Sequence, residues 1–233
     1  MARLHALGDA AALVALGDTI DPATNARVHA LAARLHAQHF PWLHAIVPAY
    51  ASLTLHYDPL HASWDREQPL WPQLEARLAP LWQGLPATFA TGRRIEIPVW
   101  YGGTAGPDLE RVAAQAGLAP DDVVARHAAP DYRVYFLGFM PGFPYLGGLD
   151  AALATPRLAT PRAQVPAGSV AIGGTQTGIY PQVAPGGWNL IGRTPLRLFD
   201  PARATPCLLA PGDTLVFRAI DAATFRALEA TSC

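Results

Sequence analysis

Three arginines stand beside Thr-Pro pairs, at Arg157, Arg162 and Arg193. Proline fixes the backbone angle φ, so each neighbouring guanidinium projects from a stiff turn. A guanidinium can bind a carboxylate or a phosphate through two parallel hydrogen bonds. Because the surrounding segment carries few charges, these arginines indicate an anion-binding site or, alternatively, surface ion pairs to Asp150 or Asp200.

His127 stands apart from the other seven histidines, which all lie between His5 and His61. It ends a short predicted helix, where the helix dipole favours a cation, and it directly precedes a nearly uncharged segment. The position indicates either a polar site residue or a C-terminal helix cap. His36 and His39 could share a helix face, with His44 just after them, but no carboxylate or cysteine lies nearby, so no metal site is predicted there.

The segment Phe139–Gly148 is unusually rich in aromatic residues, glycine and proline. This composition is typical of the wall of an aromatic-lined pocket or of a loop that binds a partner protein. A buried structural turn is the alternative.

The usual motifs of nucleotide binding and covalent catalysis are missing. The glycine run Gly173–Gly178 is followed by Ile179-Tyr180, where a phosphate loop has lysine and serine or threonine. No G-x-S-x-G nucleophile motif occurs. All 17 basic residues are arginine, so the chain cannot supply a phosphate-loop lysine or accept biotin on a lysine. If the reaction uses ATP or biotin, another protein of the complex is expected to supply that part.

The composition is that of a globular protein, with 233 residues, 51% hydrophobic residues and a net charge of -1. The near-zero charge argues against nucleic acid or an anionic membrane as a partner. Cys207 and Cys233 are too few for a disulfide framework, which favours a reduced, cytoplasmic setting. Because no apolar run reaches the length of a membrane span, we expect a soluble protein.

The N-terminal third is predicted to follow the order β-α-β-β-α-β, which is typical of ferredoxin-like α/β domains. Asp21-Pro22 marks the start of the first helix, which continues to about Gln38. The sequence leaves open whether the last strand, beginning at Arg94, belongs to this domain or to the next one. The turn signals around Pro86 predict a boundary there, which gives domains at residues 1–86 and 87–233.

The C-terminal domain is predicted to begin with two short helices, at 108–116 and 121–126. Beyond Tyr132, short apolar segments alternate with glycine and proline, a pattern typical of a β-barrel. The predicted fold class is therefore α+β, with a small N-terminal α/β domain and a β-rich second domain.

The sequence resembles the allophanate hydrolase subunit 1, or KipI-like, family. Gly138–Leu146 is similar to its GF-x-PGF-x-YL signature, and the resemblance covers nearly the whole chain in order. Further matching segments lie on both sides of this signature: Leu7–Asp9, Val47–Tyr50, Tyr57–Pro59, Ile97–Val99, Pro161-Arg162, Val165–Ile172, Gln176–Pro181, Pro185–Trp188 and Ile191–Pro195.

This resemblance implies a cyclophilin-like β-barrel as the second domain. Bacterial family members include the B subunit of 5-oxoprolinase, which implies a role in the ATP-dependent opening of 5-oxo-L-proline to L-glutamate. It also implies two partners, a KipA-like protein (the C subunit of 5-oxoprolinase) and a LamB/YcsF-type protein (the A subunit). The isolated chain would then be inactive, ATP would be used by the complex, and neither metal nor biotin would be attached to this chain.

The resemblance also implies site residues. His127 matches the family's histidine before a Tyr-x-Val strand, and four further residues at motif positions are candidates for substrate contact: Arg162, Gln176, Tyr180 and Arg193. The family pattern usually has cysteine where this chain has Trp100, and Gly-Gly-Glu where it has Gly102-Gly103-Thr104. Roles of that cysteine or glutamate therefore do not transfer here.

Two alternatives to the 5-oxoprolinase interpretation remain. The chain could be the KipI-like half of a carboxyltransferase unit in a urea carboxylase, which needs a separate biotin carrier. It could also be a binding module that inhibits a sensor histidine kinase, as the family's namesake does.

Overall fold

The computed structural model of the protein describes residues 2–88 and 92–231. The chain divides into two compact units, residues 1–90 and 91–233. The predicted α+β class is confirmed. The division after Pro86 stays a proposal, and Cys233, one of the two cysteines considered above, lies outside the described residues.

The N-terminal unit combines one antiparallel sheet with two helices. In chain order its elements are β1 (Arg3–Ala6), β2 (Ala11–Ala15), α1 (Pro22–Gln38), β3 (Leu43–Pro48), β4 (Ser52–Tyr57) and α2 (Leu70–Leu78), followed by a 3₁₀ turn at Ala79–Trp82. The strands lie in the order β1-β2-β4-β3. This order places the two inner strands next to each other between the edge strands β1 and β3.

Local sequence signals set the ends of α1. The Asp21 carboxylate accepts a hydrogen bond of 2.7 Å from the Thr24 amide, and Pro22 occupies the first turn. His39 ends the helix in the left-handed conformation, with φ 48°. The buried face of the helix shares one hydrophobic core with β2, β4 and α2.

The edge strand beside β2 answers the question that the sequence left open about the strand beginning at Arg94. That place is taken by β1 from the start of the chain, and the strand that begins at Arg94 lies in the second unit. Only Leu4 of β1 is half-buried, and its other residues are exposed. Arg3–Ala6 alternates polar and apolar residues over only four mostly exposed positions, which is a weak strand signal in the sequence.

The second unit is built around a closed barrel. Its elements are β5 (Arg94–Tyr101), α3 (Leu109–Ala116), α4 (Pro120–Ala128), β6 (Tyr132–Leu137), β7 (Pro144–Gly147), β8 (Arg162–Val165), β9 (Ser169–Gly173), β10 (Gln176–Ile179), β11 (Ala184–Gly186), β12 (Asn189–Arg193), β13 (Thr214–Ile220) and α5 (Ala222–Thr231), with a 3₁₀ turn at Ala151–Leu153. Seven strands close the barrel in the order β10-β7-β6-β13-β5-β12-β9, and β8 pairs with β11 in a separate ribbon.

The barrel strands separate two hydrophobic clusters. Val170 and Ile172 of β9 belong to the main core, which includes side chains of α3 and α4. Ala171, which lies between them, belongs to a second cluster with aromatic residues. Because successive side chains of a strand point to opposite faces, the aromatic cluster lies on the outer face of β9. The barrel therefore has a closed hydrophobic interior and an aromatic patch outside it.

Candidate functional site

His127 lies in the main core of the barrel unit and is fully buried. Its Nδ1 lies 2.8 Å from the Tyr101 hydroxyl, and its Nε2 lies 2.9 Å from the Thr177 hydroxyl. The ring also packs against Phe217, with ring centroids 4.5 Å apart. Both ring nitrogens therefore have a partner inside the protein.

The hydrogen-bond directions fix the tautomer of this histidine. The Thr177 hydroxyl donates its only hydrogen to the Ala171 carbonyl, over 3.0 Å. Its oxygen must then accept from Nε2–H of His127, and Nδ1 must accept from the Tyr101 hydroxyl. Burial lowers the pKa of His127 to about 3 and raises the pKa of Tyr101 well above its usual range. The pair is neutral near pH 7.

Arg162 begins β8 and forms a partly buried ion pair. Its Nη2 lies 2.7 Å from Oδ1 of Asp108, whose Oδ2 accepts a 2.7 Å hydrogen bond from the Leu190 amide. Nη1 of Arg162 is buried and has no hydrogen-bond partner among the described residues. The ion pair thus fixes the guanidinium while its Nη1 nitrogen keeps its hydrogens unused within the described residues.

Arg193 ends β12 and is held by two groups. Its Nε donates to the Ala167 carbonyl over 2.9 Å, and Nη2 lies 3.4 Å from the Glu229 carboxylate. Arg162 and Arg193 line one cavity of about 220 Å³, together with Trp100, Gln164 and Ser169. The structure therefore brings these two predicted arginines together, at a site that His127 does not line.

Gln176 begins β10, Tyr180 directly follows its last residue, and the two side chains have different surroundings. Gln176 is half-buried and pairs with Gly173 of β9 across the hairpin. Tyr180 is buried, and its ring centroid lies 5.3 Å from that of Phe143. Burial raises the pKa of Tyr180 above its usual value, so its hydroxyl stays protonated at neutral pH.

Tyr180 belongs to a second cavity, of about 340 Å³, which we name the aromatic pocket. Its walls come from the segment that the sequence singled out and from the β10–β12 region. The residues that define it are Phe139, Phe143, Tyr145, Arg157, Tyr180 and Trp188. The structure thus agrees with the interpretation of Phe139–Gly148 as a pocket wall. Trp188 lines the same cavity.

Sequence reasoning missed the ion-pair role of Asp108. It occupies the N-cap position of α3, yet its carboxylate makes no cap hydrogen bond. It binds Arg162 and the Leu190 amide instead, contacts separated by more than fifty residues. An aspartate before a helix ordinarily indicates a cap, so no local signal distinguished this role.

Two kinds of feature are absent from the described part of the chain. Residues 2–88 and 92–231 contain no group of three or more histidine, cysteine, aspartate or glutamate side chains placed to hold a metal ion. No described helix combines the length and apolar character that crossing a membrane requires.

A small α/β unit followed by a closed β-barrel unit is the fold of a carboxyltransferase-type β-barrel protein. The chain belongs to the family described as carboxyltransferase domain, subdomain C and D, whose model matches residues 2–209.

Curated relatives are similar along most of the chain. The B subunit of 5-oxoprolinase from Bacillus subtilis (strain 168) is 42% identical over 99% of this chain and 98% of its own length. The B subunit of 5-oxoprolinase from Escherichia coli O157:H7 is 45% identical, over 93% of this chain and 95% of its own length.

Solved structures of similar proteins agree with the architecture. TTHA0988 is 42% identical with a TM-score of 0.77, over 91% of this chain but 40% of its own. The conserved uncharacterized protein PH0987 from Pyrococcus horikoshii is 48% identical with a TM-score of 0.56, over 96% of this chain and all of its own. Urea carboxylase of Kluyveromyces lactis, at 18% identity, shares the fold with a TM-score of 0.79, over 99% of this chain and 23% of its own.

Proposed function

We propose that this protein is one component of an ATP-dependent 5-oxoprolinase, which opens 5-oxo-L-proline to L-glutamate. The observation that carries the proposal is the end-to-end similarity to the B subunit of 5-oxoprolinase from Bacillus subtilis, at 42% identity over 98% of that protein. The partners we propose are a KipA-like protein (the C subunit) and a LamB/YcsF-type protein (the A subunit), in the cytoplasm.

The chemistry of the reaction supports a shared active site. A lactam is stabilised by resonance, so attack by water needs activation of the carbonyl. Transfer of the terminal phosphoryl group of ATP to the lactam oxygen would activate the ring carbon. Water would then add to that carbon, and cleavage of the C–N bond would release the amine and open the ring. A second water would hydrolyse the resulting acyl phosphate to L-glutamate and phosphate. Because this chain has no lysine, it cannot hold ATP through a phosphate-loop lysine, and we assign ATP binding to the complex.

The coverage of one solved relative supports the need for a partner. TTHA0988 matches this chain over only 40% of its own length, so the corresponding unit occurs there within a longer polypeptide. We propose that the separate chain is inactive alone. Pure isolated protein that released glutamate from 5-oxo-L-proline would contradict this.

The two arginines that line one cavity are our proposed anion contacts. Arg162 and Arg193 present guanidinium groups beside Gln164 and Ser169, which suits a carboxylate or a phosphate of a reactant or intermediate. Gln176 and Tyr180 remain proposed contacts from the neighbouring strand. His127, being buried, is proposed as a positioning residue that acts through Tyr101 and Thr177.

The test is ATP-dependent glutamate release by the co-expressed components, with this chain added or omitted. Activity that requires the chain is expected, together with lower turnover for Arg162→Ala and His127→Ala in complexes that still assemble. His127→Gln, which keeps one donor and one acceptor, should retain more turnover than His127→Ala. A complete complex that binds stably yet releases no glutamate would contradict the proposed function.

Carboxyltransfer is the second candidate function. Both the description of the family and the fold shared with urea carboxylase favour it. This chain would then act beside a biotin carrier supplied by another protein, because it has no lysine to biotinylate. Carboxylation of a small amide by the complex, strictly dependent on a biotinylated protein, would favour this function over lactam hydrolysis.

A further inference from the structure

The aromatic pocket contains a cation without a matching carboxylate. The guanidinium of Arg157 lies 5.9 Å from the centroid of the Trp188 ring. None of the described residues that line the pocket is aspartate or glutamate. Within the described part of the chain, no carboxylate lies at ion-pair distance from Arg157, whereas Arg162 and Arg193 each have one. Arg157 is also exposed, so its charge is available to a ligand.

The walls of the pocket are preformed. The Phe143 ring is fixed by three aromatic neighbours, with centroid distances of 5.0 Å to Tyr145, 5.3 Å to Tyr180 and 5.6 Å to Trp188. Nearby glycines leave room for these rings, since a Cβ on Gly173 would lie 2.6 Å from Trp188. A pocket with fixed walls loses little conformational entropy when it binds a ligand.

Phe139 stands at the open side of the pocket in a strained conformation. Its φ is 67°, in the left-handed region that bulky residues avoid, and 64% of its surface is exposed. The loop around it is closed by a 3.1 Å hydrogen bond from the Gly138 amide to the Phe143 carbonyl. Its ring lies edge-on to Phe143, with ring centroids 5.6 Å apart, and is otherwise largely exposed. Strained residues of this kind cluster at ligand-binding positions.

The size and chemistry of the pocket define the ligand. Its volume of about 340 Å³ falls at the lower end of small-molecule sites, which span roughly 300–1,000 Å³. Aromatic walls favour the flat apolar face of a ring, and Arg157 favours an anionic group on that ring. A five-membered lactam that carries a carboxylate has both features.

We infer that the aromatic pocket binds a small cyclic carboxylate, with the ring against Trp188 and Phe139 and the carboxylate on Arg157. This inference rests on the proposed function and specifies where that substrate is held. It assigns Arg157 as a substrate-binding residue. Arg157 was not among the candidate residues that the family motif implied.

The first experiment measures ligand binding to the full chain by saturation-transfer NMR and calorimetry. 5-Oxo-L-proline should bind. 2-Pyrrolidone, which lacks the carboxylate, should have an affinity that is lower by a factor of about ten or more. Arg157→Ala should weaken 5-oxo-L-proline to the level of 2-pyrrolidone. Arg226 is an exposed arginine whose side-chain hydrogen bond within the described residues goes to the Ala222 carbonyl of its own helix. Arg226→Ala is therefore the matched control and should bind normally.

A second variant separates binding from folding. Phe139→Gly relieves the left-handed strain, so the free energy of unfolding should not fall. It also removes one face of the pocket, so 5-oxo-L-proline should bind about threefold more weakly. Unchanged binding in both Arg157→Ala and Phe139→Gly would overturn the inference, as would equal affinity for 2-pyrrolidone. Displacement of the bound ring by adenosine would also overturn it, by making the pocket a nucleotide site.

Kinetics of the assembled complex distinguish this inference from the proposed function. Arg157→Ala should raise the KM for 5-oxo-L-proline about tenfold and change kcat less. Normal kinetics in Arg157→Ala with an active complex would reject the pocket and keep the function. Arg157-dependent binding of 5-oxo-L-proline by a complex that cannot hydrolyse it would reject the function and keep the pocket.

Discussion

His127 and Arg157 are both basic residues of the barrel unit, but their surroundings are opposite. His127 is fully buried, and both of its ring nitrogens are hydrogen-bonded within the protein. Arg157 is exposed, lies beside an aromatic wall, and has only a ring face as its described partner. A polar group whose bonds are all made inside the fold stabilises the fold, whereas a cation left open at a preformed pocket is free to bind a ligand.

The sequence left two interpretations open for each residue. His127 could be a polar site residue or a helix cap, and the arginines of the Thr-Pro-Arg units could bind an anion or form surface ion pairs. The structure buries His127 and leaves Arg157 exposed. Substitutions in the barrel unit can test whether His127 stabilises the fold. They can also test whether the ion-paired residues contribute less to the free energy of unfolding than His127 does.

The largest effect is expected at His127. His127→Ala should lower the free energy of unfolding by about 3 kcal/mol, because it leaves a cavity in the barrel core and removes the partner of two buried hydroxyls. Urea denaturation of the purified variant measures this. His127→Gln, which can replace part of the hydrogen bonding, should lose less, and a loss below about 1 kcal/mol for His127→Ala would contradict a stabilising role.

The stability contributed by neutral His127 should depend on pH. The pKa of His127 is about 3 in the folded protein and about 6.5 when unfolded, so the unfolded chain binds the proton first as pH falls. The contribution is therefore complete above pH 6.5 and is lost towards pH 3, by about 2 kcal/mol between pH 6.5 and 5.

Comparison of the wild type with His127→Gln isolates this dependence, because the other titrating groups are common to both proteins. The stability difference between them should shrink as the pH is lowered from 7 to 5. A constant difference across that range would show that His127 does not titrate as a buried neutral group.

Arg162 is expected to give an intermediate effect. Arg162→Ala should lower the free energy of unfolding by about 1–2 kcal/mol, since Asp108 would remain partly buried with only the Leu190 amide as its partner. A double-mutant cycle with Asp108→Asn measures the coupling. Additive effects of the two substitutions would indicate that the ion pair contributes nothing beyond packing.

The smallest effect is expected at Glu229. Its 3.4 Å ion pair with Arg193 joins side chains that are 45% and 36% exposed, so Glu229→Gln should cost about 0.3 kcal/mol and less at high salt. Thermal denaturation at two salt concentrations tests this. If Glu229→Gln lowered the free energy of unfolding as much as Arg162→Ala, the ion pair of Arg193 would be a main contributor to the stability of the fold.

Much of the fold could be predicted because its signals are local. Asp21 and Pro22 specify the start of α1, and the alternation of Leu53, Leu55 and Tyr57 specifies β4. β1 could not be predicted, because its place in the sheet depends on pairing with β2 rather than on its own pattern.

The candidate site was predicted less completely, because it depends on contacts between distant residues. The pairing of Asp108 with Arg162 and the exposure of Arg157 follow only from the closed barrel. The family motifs did identify Arg162, Arg193 and Tyr180, which line cavities. They gave no information on whether His127 faces a cavity or the core.

The parallel pairing of β5 with β13 has a consequence for synthesis of the protein. Arg94–Trp100 and Thr214–Ile220 lie at opposite ends of the barrel sequence, and each needs the other to complete the wall. A nascent chain on the ribosome therefore cannot close the barrel until β13 has left the exit tunnel, whereas the N-terminal sheet uses only residues already released. Until then the unfinished barrel exposes two unpaired strand edges, and chaperones that shield such edges during translation should matter most in that interval.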